Sequence, residues 1–169
     1  MSQFDLFSQP ENQFTSLDDV INALKRMKDD PLADAGTNVV ISRGNPDAKL
    51  LIIGEAPGPE ENIKGKPFVG RAGQMLDKVL QAANFDPEKD VYITNSVFRM
   101  PPGEDGKAFR KPTNEEIDYY RPYVFEIIRL IDPRIILLTR NVASESVLRK
   151  TGITSLCDKW TEKDRRWVM

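Results

Sequence analysis

Short apolar runs alternate with amphipathic segments along the chain. Two of these runs, Leu50–Gly54 and Arg134–Thr139, have the length and the continuous apolar character of strands that are buried on both faces of a parallel sheet. Val91–Thr94 predicts a third strand that ends at Asn95, and Asn38–Ser42 predicts a short edge strand.

Between the strands, apolar residues recur at helical spacing. Four helices are predicted: one begins at Ser16, one covers Arg71–Ala83, one runs from the capping box Thr113/Glu116 to about Leu130 with a kink at Pro122, and one covers about Val142–Leu148. Alternating strands and helices predict the α/β class, as a three-layer α/β/α sandwich around a short, mostly parallel sheet. We expect residues 1–15 to be a loose N-terminal tail and residues 16–169 to form one domain.

Composition narrows the class of protein. The chain has 169 residues, 40% of them hydrophobic, which suits one domain with a single core. Its one cysteine, Cys157, excludes a disulfide framework, and the absence of histidine excludes the usual zinc sites. Without a membrane-length apolar run or a signal peptide, we expect a soluble, intracellular (cytoplasmic) protein with no membrane partner and no obligate protein partner.

The loop after the central strand is the most informative segment. It opens with Gly54 and the carboxylate of Glu55, and it is dense in glycine, proline and acidic residues up to Gly70. Asn95 and the pair Arg140-Asn141 also follow strand ends. Because the carboxyl ends of parallel strands share one edge of a sheet, we expect these groups to converge there.

A carboxylate beside a carboxamide suits the cleavage of a base from deoxyribose. Glu55 could stabilise an oxocarbenium-like sugar and orient water, because a nearby anion does both. Asn95 could bind the amide edge of uracil, and Phe68 could stack on a base flipped out of the helix. The plainer alternatives are that Asn95 caps a turn, that Phe68 belongs to the core, and that the loop is an ordinary connector.

The same residues carry a resemblance to a known family. Gly54-Glu-Ala-Pro-Gly58, followed by Gly65-Lys-Pro-Phe-Val-Gly70, resembles the first motif of the uracil-DNA glycosylase superfamily, specifically the iron–sulfur type called family four. The likeness extends over roughly residues 38–156. It includes Val91–Ser96, Pro101–Gly103, Pro112–Ile117 and the apolar run after Pro133.

This resemblance implies roles for individual residues. It links Glu55 to catalysis, Phe68 to stacking on uracil and Asn95 to reading uracil. It places Glu61 near the pyrimidine C5 position, and it implies that the backbone of Ala56, Pro57 and Gly58 completes the pocket. We expect five further residues to contact DNA: Gly70, Arg71, Arg99, Arg110 and Asn141.

The family's iron–sulfur cluster is held by four cysteines, and this chain departs from that pattern. The corresponding positions are Met27, Asp30, Arg99 and Tyr120. Because thiolates are obligatory for such a cluster, we predict no iron–sulfur cluster, no other metal and no other cofactor. Met27 and Tyr120 are expected to fill the space by packing. An insertion, Glu104–Arg110, also lengthens the loop after Pro102.

The family's second motif, a His-Pro segment near the C terminus, has no counterpart here. The sequence reaches Met169 about where the strand leading to that motif would begin, so we expect a C-terminally truncated domain whose last strand and helix are missing. Arg140 and Arg149 stand where the family usually has glycine, which predicts a strained backbone at both positions.

The leading hypothesis is therefore a base-excision-repair protein that hydrolyses the N-glycosidic bond of uracil in DNA. The alternative is a catalytically impaired or inactive homologue that serves as a nucleic-acid- or uracil-binding or vestigial domain. A third hypothesis is a phosphorylated small ligand bound by the loop Gly58–Gly73. Against it, the lysine pattern of a P-loop is absent, and the three acids of the loop would repel phosphate.

Overall fold

A computed structural model describes residues 14–105, 108–149, 161–163 and 166–169 of the chain. The described helices are α1 (Leu17–Arg26), α2 (Pro59–Lys64), α3 (Arg71–Ala82), α4 (Asn114–Ile131) and α5 (Arg140–Leu148), with a short 3₁₀ turn at Ala33–Ala35. The described strands are β1 (Ser42–Gly44), β2 (Leu50–Gly54), β3 (Val91–Asn95), β4 (Ile135–Leu138), β5 (Thr161–Lys163) and β6 (Arg166–Val168). None of the described helices is long and apolar enough to cross a membrane.

The strands form one sheet in the order β1-β3-β2-β4-β6-β5. Strand β2 lies between β3 and β4 and pairs in parallel with both, and β6 continues the parallel part beside β4. The edge strands β1 and β5 are antiparallel to their neighbours. The predicted α/β class with a mostly parallel sheet is therefore confirmed.

The two faces of the sheet bury separate groups of apolar side chains. Leu51 and Ile53 of β2 face a large core that includes residues of α1, α4 and α5. The alternate residue, Ile52, faces a smaller core that includes Leu80 of α3. This alternation follows from the two-residue period of a strand, and it produces the three predicted layers.

One predicted strand differs in position, and one helix was not predicted. The edge strand was predicted at Asn38–Ser42, but β1 covers Ser42–Gly44, and Val39 makes only an isolated bridge with Arg99. The segment after β2, described from the sequence as a loop, contains the helix α2. Helix α2 begins with a proline at its first position, where no N–H is needed, and Gly65 ends it in a left-handed conformation.

The prediction of a missing last strand also needs correction. Arg166–Val168 forms β6, which pairs in parallel with β4 through Ile135 and Ile136. The backbone N–H of Met169 donates to the carbonyl of Ile136 at 3.0 Å, so the ladder extends to the last residue. A few residues are enough for this pairing because β4 offers a row of backbone groups along its open edge.

The predicted strain at two arginines is confirmed. Arg140 has φ 72° and Arg149 has φ 53°, both in the left-handed region that favours glycine. They stand at the first position and at the C-cap of α5. Cys157 and Asp158, which also depart from the family pattern, lie outside the described residues.

A buried polar network joins the segment after α1 to the segment after β3 and to α4. The Arg99 guanidinium donates to the Asp30 carboxylate at 3.0 Å and to the carbonyls of Met27, at 3.3 Å, and Thr37. The hydroxyl of Tyr120 donates to the other oxygen of the same carboxylate. The side chains of Asp30 and Arg99 are only 1% and 13% exposed, so each charge is neutralised inside the protein.

This network predicts a stability change that depends on pH. Burial, followed by the hydrogen bond to Asp30, raises the pKa of Tyr120 above its ordinary value of 10.0. Tyr120→Phe should therefore lower the free energy of unfolding at pH 7 by about 1.5–3 kcal/mol, the usual contribution of a hydrogen bond to a charged group. Because the stabilisation from a raised pKa is full below the ordinary value and is lost gradually as the pH rises towards the raised value, the difference from wild type should shrink as the pH rises above about 10.

Urea unfolding from pH 7 to pH 11 measures this effect. Tyr123→Phe is the comparison variant on the same helix: burial also raises the pKa of Tyr123, but its hydroxyl lies outside the network, so this variant should lose less stability at pH 7 than Tyr120→Phe. A Tyr120→Phe curve that stays parallel to wild type over the whole pH range would contradict the proposed linkage.

Candidate active site

Hydrogen bonds tie the carboxyl ends of the three central strands together. The Gly54 carbonyl accepts from the backbone N–H of Ser96 at 2.9 Å and from its hydroxyl at 2.8 Å. The Ile53 carbonyl accepts from the N–H of Thr139 at 2.9 Å. Since Gly54 is also the register partner of Asn95, the chain segments that follow β2, β3 and β4 leave the sheet at one place.

A pocket of about 310 Å³ opens at this edge of the sheet. Its walls come from the ends of β2, β3 and β4, from α2, and from the start of α3. The lining residues are Glu55, Ala56, Gly58, Pro59, Glu60, Glu61, Phe68, Gly70, Arg71, Ala72, Gly73, Asn95, Phe109, Thr139 and Arg140. The predicted convergence of groups at the strand ends is thus confirmed for Glu55, Asn95 and Arg140.

The side chains of Asn95 and Phe68 both lie against the backbone of Gly54. A methyl group at Gly54 would lie 2.4 Å from Oδ1 of Asn95 and 2.5 Å from Cζ of Phe68, closer than real carbon contacts allow. A carboxamide and an aromatic ring therefore meet over the end of β2 only because this residue has no side chain. Asn95 itself is 2% exposed, so its carboxamide is fixed deep in the pocket.

The Phe68 backbone is held in an unfavourable conformation, with φ 54°. Arg43 of β1 supports it by donating to the carbonyl of Pro67 at 3.0 Å and to the carbonyl of Phe68 at 3.2 Å. The same guanidinium pairs with Asp77 at 2.5 Å, and its side chain is 7% exposed. Gly73 completes the support, because a methyl group there would lie 1.9 Å from the Phe68 carbonyl oxygen. Strain of this kind persists where the surroundings over-determine it, which is typical of functional sites.

Glu61 fixes the backbone around the pocket. One carboxylate oxygen accepts from the N–H of Gly58 at 3.2 Å, and the other accepts from Val69 at 3.2 Å and Gly70 at 3.0 Å. The backbone N–H groups of Val69 and Gly70, immediately before α3, are therefore already bound to a carboxylate, and the negative charge of Glu61 would repel a phosphate at the start of this helix. This geometry argues against the phosphorylated-ligand hypothesis.

Glu55 and Arg140 form the charged part of the pocket. The side chain of Glu55 is 17% exposed, and its Oε2 lies 3.9 Å from a guanidinium nitrogen of Arg140. Arg140 is 68% exposed, so this is a loose ion pair. Its guanidinium is a positive charge close to the carboxylate and on the side of the pocket that faces solvent.

The structure brings eight of the twelve predicted site residues to the pocket wall: Glu55, Ala56, Gly58, Glu61, Phe68, Gly70, Arg71 and Asn95. Pro57, Arg99, Arg110 and Asn141 are not part of the lining. Arg99 belongs to the buried network with Asp30, and Arg110 binds the Glu116 carboxylate through two nitrogens at 2.9 and 2.6 Å. Both guanidinium groups bind carboxylates of the fold, and contact of Arg99 and Arg110 with DNA stays a prediction.

Three residues with a clear place in or behind the pocket were not predicted from the sequence. Thr139 and Phe109 line the pocket, and Arg43 supports Phe68 from the edge strand. The sequence feature that could have identified Phe109 is that it is an aromatic residue in the inserted segment Glu104–Arg110. Arg43 gave no local signal, since its role depends on contacts 24 and 25 residues away.

The four positions that correspond to the family's cluster ligands do meet in space, but they do not suit iron. They contribute a backbone carbonyl from Met27, a carboxylate, a guanidinium and a phenol, and the guanidinium and the phenol both donate to the carboxylate. No thiolate is among them, and a guanidinium cannot ligate a metal. In the part of the chain that the structure describes, no group of three or more His, Cys, Asp or Glu side chains could hold a metal ion.

Comparison with known proteins identifies the family to which the chain is similar. The sequence profile of the Uracil DNA glycosylase superfamily matches residues 41–169. The Type-4 uracil-DNA glycosylase of Archaeoglobus fulgidus is 35% identical over 132 residues, which are 78% of this chain and 63% of that protein. The Type-4 uracil-DNA glycosylase of Thermotoga maritima is 40% identical over 107 residues, which are 63% of this chain and 53% of that protein.

A relative with a different name is also similar. The DNA polymerase of Bacillus phage SP01 is 32% identical over 137 residues, which are 81% of this chain and 14% of that protein. The chain spans about half to two thirds of the length of the Type-4 relatives. Because the superfamily profile covers well over half of its residues, this chain belongs to the uracil DNA glycosylase superfamily.

Proposed function

We propose that this domain hydrolyses the N-glycosidic bond between uracil and deoxyribose in DNA, as a step of base excision repair. The observation that carries the proposal is the meeting of Asn95 and Phe68 over Gly54, in a pocket that also contains the Glu55 carboxylate. A base needs a stacking surface and a partner for its polar edge, and this pocket provides both beside an acidic group.

In the proposed reaction the bond between C1′ and N1 of uracil breaks as water attacks C1′. The transition state resembles an oxocarbenium ion, which the negative charge of Glu55 stabilises. The same carboxylate orients the water molecule and takes up its proton. The hydroxide part of water remains on C1′, and the proton is finally returned to the released uracil.

The departing uracil carries negative charge, which must be met by donors. Asn95 can donate through its amide nitrogen and accept through its oxygen, which matches the alternating carbonyl and N–H edge of uracil. The chain contains no histidine, but the Arg140 guanidinium lies at the pocket wall within 3.9 Å of Glu55. We assign to Arg140 the positive charge that stabilises the leaving base.

The rim of the pocket suits the phosphates of DNA. Arg71 is exposed at the first position of α3, next to the lining residue Gly70. Together with Arg140 it places two positive charges beside a pocket whose interior carries Glu55. Phosphate contacts of this kind position nucleic acid without reading its sequence.

A second candidate function is a domain that binds nucleic acid or uracil without cleaving it. The likeness to a segment of a phage DNA polymerase favours this alternative, because such a segment could serve a polymerase by recognition alone. The lack of histidine in the chain points the same way. Affinity for uracil-containing DNA without release of uracil would identify it.

The direct test is single-turnover release of uracil from a labelled oligonucleotide that contains one uracil. We expect the wild-type protein to release it. Glu55→Gln should slow release by about 10²-fold or more, since it removes the charge that positions water. Asn95→Ala should slow release by about 10²–10³-fold, the usual effect of losing one donor to a developing anion.

Glu115→Gln is the matched control for these variants, because Glu115 is exposed at the start of α4, outside the pocket lining. It should release uracil at the wild-type rate. A folded wild-type protein that releases no uracil would refute the hydrolase and leave the binding domain as the function.

Arg140 yields a prediction in which activity and stability move in opposite directions. Arg140→Gly relieves the left-handed backbone, which costs a residue other than glycine about 1 kcal/mol. We therefore expect a free energy of unfolding about 1 kcal/mol higher, together with uracil release slowed by at least about tenfold because a cation leaves the pocket.

Arg149→Gly is the control for the backbone effect, since Arg149 has the same kind of conformation and pairs with Asp118 at the surface. It should raise the free energy of unfolding by up to about 1 kcal/mol, less the small contribution of the exposed ion pair, and it should leave the rate of uracil release unchanged. Thermal unfolding and the release assay measure the two quantities. A wild-type rate in Arg140→Gly would remove Arg140 from the proposed mechanism.

A further inference from the structure

Phe109 is an aromatic side chain at the pocket wall that the proposed reaction does not yet use. It is 51% exposed. The other exposed large apolar side chains among the described residues, Ile63, Met75, Val79 and Phe85, are not part of the pocket lining. Leaving a phenylalanine in water forgoes a stabilisation of a few kcal/mol that burial would give. Because Phe109 lines the pocket, its exposed ring is placed to contact the molecule that the pocket binds.

The loop that carries Phe109 is braced. Pro102 and Phe109 form an antiparallel bridge, and the N–H of Gly103 donates to the carbonyl of Ala108 at 2.7 Å. The N–H of Arg110 donates to the carbonyl of Pro101 at 3.0 Å. These bonds pair residues 101–103 with residues 108–110 as the base of a small hairpin, and they fix the direction in which the chain presents Phe109.

A second contact anchors this hairpin to the domain. Arg110, the neighbour of Phe109, binds both carboxylate oxygens of Glu116, which is 5% exposed in the first turn of α4. A bidentate pair of this kind fixes the orientation of the guanidinium as well as its position. The protein thus holds an exposed aromatic ring at the pocket mouth on a supported backbone.

Duplex DNA that contains uracil, the proposed substrate, offers a partner for the ring of Phe109. A uracil in duplex DNA must leave the base stack before it can reach Glu55, and its departure leaves a gap between neighbouring bases. Apolar side chains such as phenylalanine insert between base steps, and stacking of a base on an aromatic ring contributes about 1–3 kcal/mol. The ring of Phe109 has the chemistry and the place for this role.

Resting on the proposed function, we propose that Phe109 enters the base stack of duplex DNA beside the extruded uracil. It is a positioning residue, since it holds the DNA open while the pocket residues act on the base. Phe109 should therefore contribute strongly to the rate of uracil release from a duplex, where stacking must be broken, and only weakly to the rate of release from a single strand.

Two measurements with one set of variants test the proposal. Phe109→Ala should slow single-turnover uracil release from a duplex by about tenfold or more, and release from the single strand by no more than about threefold. Phe109→Trp should retain the wild-type rate on the duplex, because the indole ring also stacks. Phe85→Ala, which removes an exposed phenylalanine outside the pocket, should behave as wild type on both substrates. Equal slowing on both substrates, or no slowing, would overturn the proposal.

The second measurement separates failure of this proposal from failure of the hydrolase. A duplex with 2-aminopurine next to uracil is bound by Glu55→Gln and by Glu55→Gln/Phe109→Ala, at protein concentrations that saturate the DNA. The single variant should raise the fluorescence as the neighbouring base unstacks, and the double variant should lose most of this rise. If wild type releases no uracil but this difference is present, Phe109 still enters the stack of bound DNA. Equal fluorescence in the two proteins, or none in either, would overturn the proposal.

Discussion

The close approach at Gly54 is the constraint on which the candidate site depends. Three chain segments leave the sheet where β2 ends, and Asn95 and Phe68 both lie closer than van der Waals contact to the position that a Cβ atom of residue 54 would take. The hydrogen bonds from Ser96 and Thr139 to the end of β2 keep this arrangement rigid. A pocket formed by polar and aromatic groups from separate parts of the sequence can be accurate only if the backbones that carry them are fixed to one another.

Polar contacts on both sides of the sheet support the backbone around Gly54. Arg43 and Glu61 hold the turn that carries Phe68 by binding backbone groups, so buried charges here serve as structural anchors. On the other side of the sheet, Asp30, Arg99 and Tyr120 join three distant segments through one carboxylate. This network lies where the family resemblance places a metal cluster. Ionic and hydrogen-bonding contacts here connect the chain segments that ligands of a cluster would connect.

The sequence predicted the features that depend on local patterns. Continuous apolar runs identified β2 and β4 because strands buried on both faces have no polar side, and the capping box at Thr113 located the start of α4. The convergence at the strand ends followed from the parallel sheet. The support of Phe68 by Arg43 could not be predicted, because a guanidinium can reach many acceptors and only the fold selects among them. The prediction that Tyr120 fills space by packing was incomplete for the same reason. Its ring does pack edge-on against Phe98, but its hydroxyl also donates to Asp30.

The most direct test of this account is uracil release by Gly54→Ala, measured beside its thermal unfolding. A methyl group at this position must displace the Asn95 carboxamide or the Phe68 ring, because both lie closer than 3 Å to it. If the meeting of these two side chains creates the uracil pocket, the variant should unfold cooperatively and release uracil at least about 100-fold more slowly than wild type. Release at the wild-type rate by the folded variant would contradict the account, since the pocket would then function without the contact on which it is said to depend.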